Sequence, residues 1–138
     1  MTKGKIAVTP RSLSCHGHPA LDSLTQAGYE VYLSHTRRAA MPDDLRQFLP
    51  ECVGYLAGVE PIPGEILAVC RRLKVISRNG VGVDNVDLVA ARRLGIAVRK
   101  KQPAPTAAGG ELAITLMLAG LRSAVVRSAD QRGRLGAA

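Results

Sequence analysis

Residues 73–98 read LKVISRNGVGVDNVDLVAARRLGIAV, and the fold follows from how this run is divided. Residues 74–77 carry a β-branched apolar core, Gly80 and Gly82 bracket Val81, and Asp84 or Asn85 stands where a helix N-cap belongs, with Asp87 in the first turn. Val86, Val89, Ala90 and Leu94 then recur at helical spacing, Gly95 supplies a C-terminal stop, and residues 96–98 open a second short strand. The run therefore predicts strand, glycine loop, helix, strand. Bare backbone N–H groups at such a loop, close to the positive end of a helix dipole, suit an anion.

Two readings of the glycines stand side by side. Gly80-Val81-Gly82 lacks the third glycine of a dinucleotide fingerprint, and Asp84 follows instead, so the spacing argues against a pyrophosphate site. The plainer alternative is a tight turn from strand to helix whose glycines serve backbone geometry alone.

The chain's 138 residues suffice for one domain with a real core. With 46% hydrophobic but only 3% aromatic residues, that core belongs to Val, Ile, Leu and Ala, as expected of a folded soluble protein. Cys15, Cys52 and Cys70 form no CxxC pair, and MTKGKIAVTP contains no apolar signal region, so a reducing cytoplasm is expected. The net charge of +8 is scattered over Arg37-Arg38, Arg71-Arg72, Arg92-Arg93 and residues 99–101, at predicted element ends and without interleaved aromatics. A solvated basic surface is expected rather than specific nucleic-acid binding.

Upstream, residues 5–9 predict a first buried strand, 11–18 a loop, 18–27 a helix closed by Gly28, and 29–33 a second strand. Cys15, His16 and His18 lie close together, but no second cluster supplies further ligands, so no metal is expected. Residues 34–41 form a basic connection, and Pro42 with Asp43 and Asp44 opens a helix through Phe48, burying Leu45, Phe48 and Leu49. Residues 52–57 give a third strand covered on both faces, 58–61 the loop at its carboxyl end, and 62–70 a helix with Ile66, Leu67 and Val69 apolar. Five strands alternating with helices predict a flavodoxin-like, doubly wound parallel sheet, with the loops after Ala57 and Arg78 side by side.

Residues 99–105, RKKQPAP, predict a proline-punctuated linker. Thr106 caps a predicted long helix to about Val126, in which Gly109 and Gly110 cost about 1 kcal/mol each relative to alanine. Residues 112–121 contain no charge, too short a run for the roughly 20 needed to cross a bilayer, so burial against protein is expected and a membrane is not. The expected organisation is a domain over 1–103, a connecting helix over 104–127 and a disordered tail over 128–138.

Four runs carry a family likeness: VTPRSLS (8–14), HPALDSLTQAGYEVY (18–32), GYLAGVEPI (54–62) and RNGVGVDNVDL (78–88). Together they resemble the N-terminal, substrate-binding region of the D-isomer-specific 2-hydroxyacid dehydrogenases, the phosphoglycerate-dehydrogenase-like branch above all, over about residues 5–122. The resemblance implies that the amides of Gly80, Val81 and Gly82 grip a substrate carboxylate, that Arg78 helps bind the acid, and that Asn79, Ala57 and Gly58 belong to the same site, with Asp84 capping and orienting the loop. Ala57 stands near where the family often carries an arginine facing a substrate phosphate. Residues 100–112, KKQPAPTAAGGEL, keep only Glu111 and Leu112 of the family's usual exit from this region.

In the resembled family the NAD site, the arginine that holds the 2-oxo acid and the catalytic histidine and carboxylate stand in a second domain. No catalytic residue and no cofactor are therefore expected of this chain alone, and none of His16, His18 and His35 matches the catalytic histidine. The expectation is an isolated substrate-binding half, a product of truncation or gene decay, that binds a small 2-hydroxy or 2-oxo acid without turnover. It would work as a homodimer or with a separate NAD-binding partner. The alternative is a non-enzymatic assembly module that dimerises or docks a partner through residues 112–125.

Overall fold

The computed structural model describes residues 1–35, 38–101 and 109–121. Five strands, β1 (Lys5–Val8), β2 (Glu30–Leu33), β3 (Cys52–Ala57), β4 (Val75–Arg78) and β5 (Ala97–Lys100), form one sheet in the order β2-β1-β3-β4-β5, every neighbouring pair parallel. This is the flavodoxin-like order that the alternation of apolar runs predicts. Helices α1 (Arg11–Ser14), α2 (Pro19–Gln26), α3 (Pro42–Phe48), α4 (Gly64–Val69) and α5 (Leu88–Arg93) fill the connections, and α6 (Gly109–Leu121) follows the last strand.

The helices divide between the two faces. Leu45, Ile66, Leu67, Ala90 and Ala91 from α3, α4 and α5 pack with Ala7, Tyr55, Ala57 and Ile76 of the sheet. Leu21 and Leu24 of α2 and Ala113, Ile114 and Met117 of α6 pack with Ile6, Val8, Leu56 and Val75 on the opposite face. All six residues of β3 are buried, as a central parallel strand covered on both sides must be. A register shift opposite Lys5 and Ile6 marks a bulge at Val53, whose side chain fills the space a Cβ on Gly4 would need.

Local corrections follow from tertiary contacts. Residues 11–14, expected in a loop, make the single turn α1, and His18 caps α2 by accepting from the Ala20 amide at 3.1 Å through Nδ1. Asp87, expected in the first turn of α5, is its N-cap, accepting from the Ala90 amide at 2.9 Å; Asp84 and Asn85 lie ahead of the helix. With α5 starting at Leu88, Ala90 and Ala91 turn inward, and Val89 and Leu94, expected on the buried face, are exposed. Val69 is exposed as well. Arg99 and Lys100 extend β5 instead of opening a linker, since an edge strand tolerates long cations. Gly95, at φ +73°, ends α5 as predicted.

Helix α6 crosses the sheet over β3, β4 and β5, where Ser77 Oγ donates to the carbonyl of Ala113 at 2.8 Å. The expected cap at Thr106, the helix beyond residue 121, residues 102–105 of the expected linker and the tail at 128–138 fall outside the described residues. Among the described residues no helix is long and apolar enough to cross a membrane.

Candidate functional site

Ligands of doubly wound sheets collect beyond the carboxyl ends of the strands, at the point where the strand order reverses. Here that point lies between β1 and β3, and the protein's own side chains close it. Glu60, only 2% exposed, turns its carboxylate inward, where Oε1 accepts from the Tyr55 hydroxyl, the Thr9 hydroxyl and the Gly58 amide, the last at 3.0 Å. Three donors offset the cost of burying a carboxylate. Burial, reinforced by the neighbouring Glu60 carboxylate, pushes the Tyr55 pKa well above the usual tyrosine range, so this hydroxyl stays a donor. Gly58 carries no side chain because the other Glu60 oxygen would stand 2.7 Å from its Cβ.

The loop after β4 leans on this plug. Asn79 donates its amide to the Ala57 carbonyl at 2.8 Å and Gly80 donates to Arg78 O at 2.9 Å, so both N–H groups are engaged inside the turn. Among the described residues nothing accepts from the amides of Val81 and Gly82. Arg78 folds back over the loop: Nη1 donates to Asn79 O at 2.9 Å and Nε to Asn85 Oδ1 at 3.2 Å. Neither Gly80 nor Gly82 has a positive φ; Gly80 is needed for space, because a Cβ there would stand 2.1 Å from Arg78 Nη1. Asn85 Nδ2 in turn donates to the carbonyls of Gly58 and Glu60, at 3.2 and 2.7 Å.

The residues singled out from the sequence thus divide. Arg78, Asn79, Gly80, Val81 and Gly82 form one loop, partly exposed, with Val81 at its tip. Ala57 and Gly58 are buried beneath it: the Ala57 side chain is part of the core and the Gly58 amide points at Glu60. Asp84 is exposed and makes no hydrogen bond among the described residues, so the ordering expected of it falls to Asn85. Thr9, Tyr55 and Glu60 are not among the residues the sequence points to, and Asn85 enters there only as a possible helix cap; the lone tyrosine in the apolar run CVGYLA is the one local sign of this network.

An open cleft of about 650 Å³ lies elsewhere, between α5, β5 and α6, with Lys74, Arg92, Ile96 and Arg99 on its walls. It shares no residue with the loop and opens at the sheet edge, away from the strand ends that carry the polar network.

An open parallel sheet in the order β2-β1-β3-β4-β5, with a glycine loop beyond the carboxyl ends of its strands, defines a flavodoxin-like α/β domain. The chain belongs to the D-isomer specific 2-hydroxyacid dehydrogenase family: the family's catalytic-domain model matches residues 12–131. It is 43% identical over 104 residues to D-3-phosphoglycerate dehydrogenase of Archaeoglobus fulgidus, covering 75% of this chain and 19% of that protein. It is 36% identical over 91 residues to 2-ketogluconate reductase of Gluconobacter oxydans, covering 65% and 29%. Among solved structures, the TT0316 protein of Thermus thermophilus superposes with a TM-score of 0.66 at 34% identity, over 95% of this chain and 41% of that one. The NAD+-bound 3-phosphoglycerate dehydrogenase of Entamoeba histolytica gives 0.58 at 25% identity, over 70% and 32%. The chain therefore spans well under half the length of these relatives.

The glycine loop does not fit a dinucleotide. Helix α5 begins only at Leu88, Asp87 already occupies its Ala90 amide, and Asp84 brings a carboxylate where a pyrophosphate would need a bare turn.

Proposed function

We propose that this chain is the substrate-binding half of a D-2-hydroxyacid dehydrogenase-like oxidoreductase of the phosphoglycerate-dehydrogenase type. The loop 79–82 would hold the carboxylate of a small 2-hydroxy or 2-oxo acid. One observation carries the reading: the Arg78 guanidinium is fixed over Gly80 while the neighbouring amides of Val81 and Gly82 have no acceptor among the described residues. Two N–H donors beside a fixed cation suit a carboxylate, each such charge-assisted bond being stronger than a neutral one. With Ala57 buried and no arginine at its position, the loop grips the carboxylate and adds no second anchor for a phosphate.

On this reading the chain binds and does not reduce. The nicotinamide, the acid-holding arginine and the proton-transferring histidine come from an NAD-binding domain or a separate partner, and the cytoplasm is the setting. Residues 1–103 are the binding unit and 104–127 the connection, whose described helix rests on the sheet through Ala113, Ile114 and Met117. Titration of the 15N-labelled chain with pyruvate should shift the amide resonances of residues 80–82; silence at millimolar concentrations of pyruvate, hydroxypyruvate and glycerate would remove the reading. NADH oxidation by the purified chain with any of these oxo acids would remove the claim that it cannot act alone.

A second reading rests on α6, where Leu116, Leu118 and Leu121 stay half-exposed on the uncharged stretch 112–121. An assembly module would use that strip, with residues up to 125, to form a homodimer or dock a partner. Sedimentation should then show a concentration-dependent dimer that Leu116→Lys abolishes.

A further inference from the structure

We infer that Asn85 is a positioning residue: its amide ties the loop after β3 to the loop after β4 and thereby fixes Arg78 for the acid. The inference deepens the proposed carboxylate site and rests on that reading for its ligand, though its structural half stands without one. Asn85 sits between two surfaces of opposite demand. On one side are the carbonyl oxygens of Gly58 and Glu60, which need donors, and Nδ2 meets both. On the other is Arg78 Nε–H, which needs an acceptor, and Oδ1 meets it at 3.2 Å. The backbone of Asn85 is held as well, since its carbonyl accepts from the Ile62 amide at 2.7 Å, next to the bridge between Ile62 and Val86.

This set of partners dictates the side chain. Aspartate has the shape but would turn an oxygen toward two carbonyls, and alanine leaves both carbonyls and the guanidinium without their partner. Glutamine keeps the chemistry but adds a methylene between a backbone and partners already at contact. The far anchor is equally fixed: Glu60, held by Thr9 and Tyr55, pins the Gly58 amide and so aims the Gly58 carbonyl at Asn85. A continuous line runs from the buried plug at the switch point through Asn85 to Arg78, and it ends at the loop whose Val81 and Gly82 amides would meet the acid. Arg78 is held at two points, Nε on Asn85 Oδ1 and Nη1 on Asn79 O; loss of the Asn85 contact leaves one, about which the guanidinium can turn off Gly80 and away from those amides.

The test uses the full chain, 15N-labelled, with pyruvate as probe. In the free protein the Arg78 Nε–H should be a resolved resonance protected from water exchange, and Asn85→Ala should raise its exchange rate about tenfold or more, one hydrogen bond's worth. Asn85→Asp, isosteric and able to keep the Arg78 contact, should leave that proton protected while shifting the amides of residues 58–60. It also serves if the alanine variant fails to fold. With pyruvate, Asn85→Ala and Arg78→Gln should each weaken binding about tenfold, and the double variant should be no weaker than the worse single, because one acts through the other. Unchanged Arg78 Nε–H exchange in Asn85→Ala, or effects that multiply in the double variant, would overturn the inference. If the wild-type chain ignores pyruvate while the exchange rates behave as stated, the carboxylate reading fails and the positioning role of Asn85 stands.

Discussion

The guanidinium of Arg78 occupies the space in which a Cβ at Gly80 would stand, 2.1 Å from Nη1. The glycine is there so that the arginine can fold back. Gly80→Ala should push the side chain outward and cost its bonds to Asn79 O and Asn85 Oδ1, about 1–3 kcal/mol in urea unfolding. Gly82 has no such neighbour, Asp84 Oδ2 being 3.8 Å from its Cβ position, and Gly82→Ala should stay within about 0.5 kcal/mol of wild type. Equal costs at the two glycines would mean that backbone geometry, not the arginine, sets them.

The Glu60 plug gives a pH signature. Tyr55→Phe removes a donor from a buried carboxylate and should cost about 1–3 kcal/mol at pH 8. The Tyr55 pKa is raised in the folded state, first by burial and then by Glu60, above the ordinary value of 10.0. An elevated pKa means that the unfolded chain loses this proton first. The tyrosine's contribution is therefore complete below pH 10 and is lost as pH rises through the folded value. The difference between wild type and Tyr55→Phe, measured by urea unfolding from pH 8 to 11.5, should shrink above pH 10. A constant difference would show that Tyr55 ionises as freely in the fold as outside it.

How far the sequence discloses these arrangements depends on the range of the interactions. The apolar run at 52–57, the β-branched pair at 75–76 and the stop at Gly95 act locally, so strands, alternation and sheet class follow from them. The cap of α5 does not: Asp84, Asn85 and Asp87 are all cap-forming types, and the pairing of Ile62 with Val86, distant in sequence, decides among them. The loop Arg78 to Gly82 can be read from its glycines and its resemblance, but Glu60 cannot, since a glutamate between Val59 and Pro61 has no local sign that it turns inward.

Thiol chemistry separates the three cysteines. Burial pushes the thiols of Cys52 and Cys70 up to about 11, while Cys15 is exposed. At pH 8 a group with such a pKa is thiolate about one part in a thousand, and only thiolate reacts. Ellman's reagent should titrate one thiol quickly in the native chain and three in denaturant. Three fast thiols under native conditions would contradict the packing of β3 and α4.

Helix α6 lies close on the sheet, and two glycines let it: a Cβ on Gly54 would stand 3.3 Å from Met117 Sδ, and one on Gly120 3.0 Å from Val75 Cγ2. Met117 and Ile114 are buried there and Thr115 is exposed. Met117→Ala should cost about 2–5 kcal/mol, as large-to-small changes in a core usually do, whereas Thr115→Ala should cost nothing measurable. The contrast is read from urea midpoints of the two variants in the same buffer. If Met117→Ala unfolds with the wild-type midpoint, α6 does not close this face of the sheet, and Val75 and Leu56 must be covered by something other than this helix.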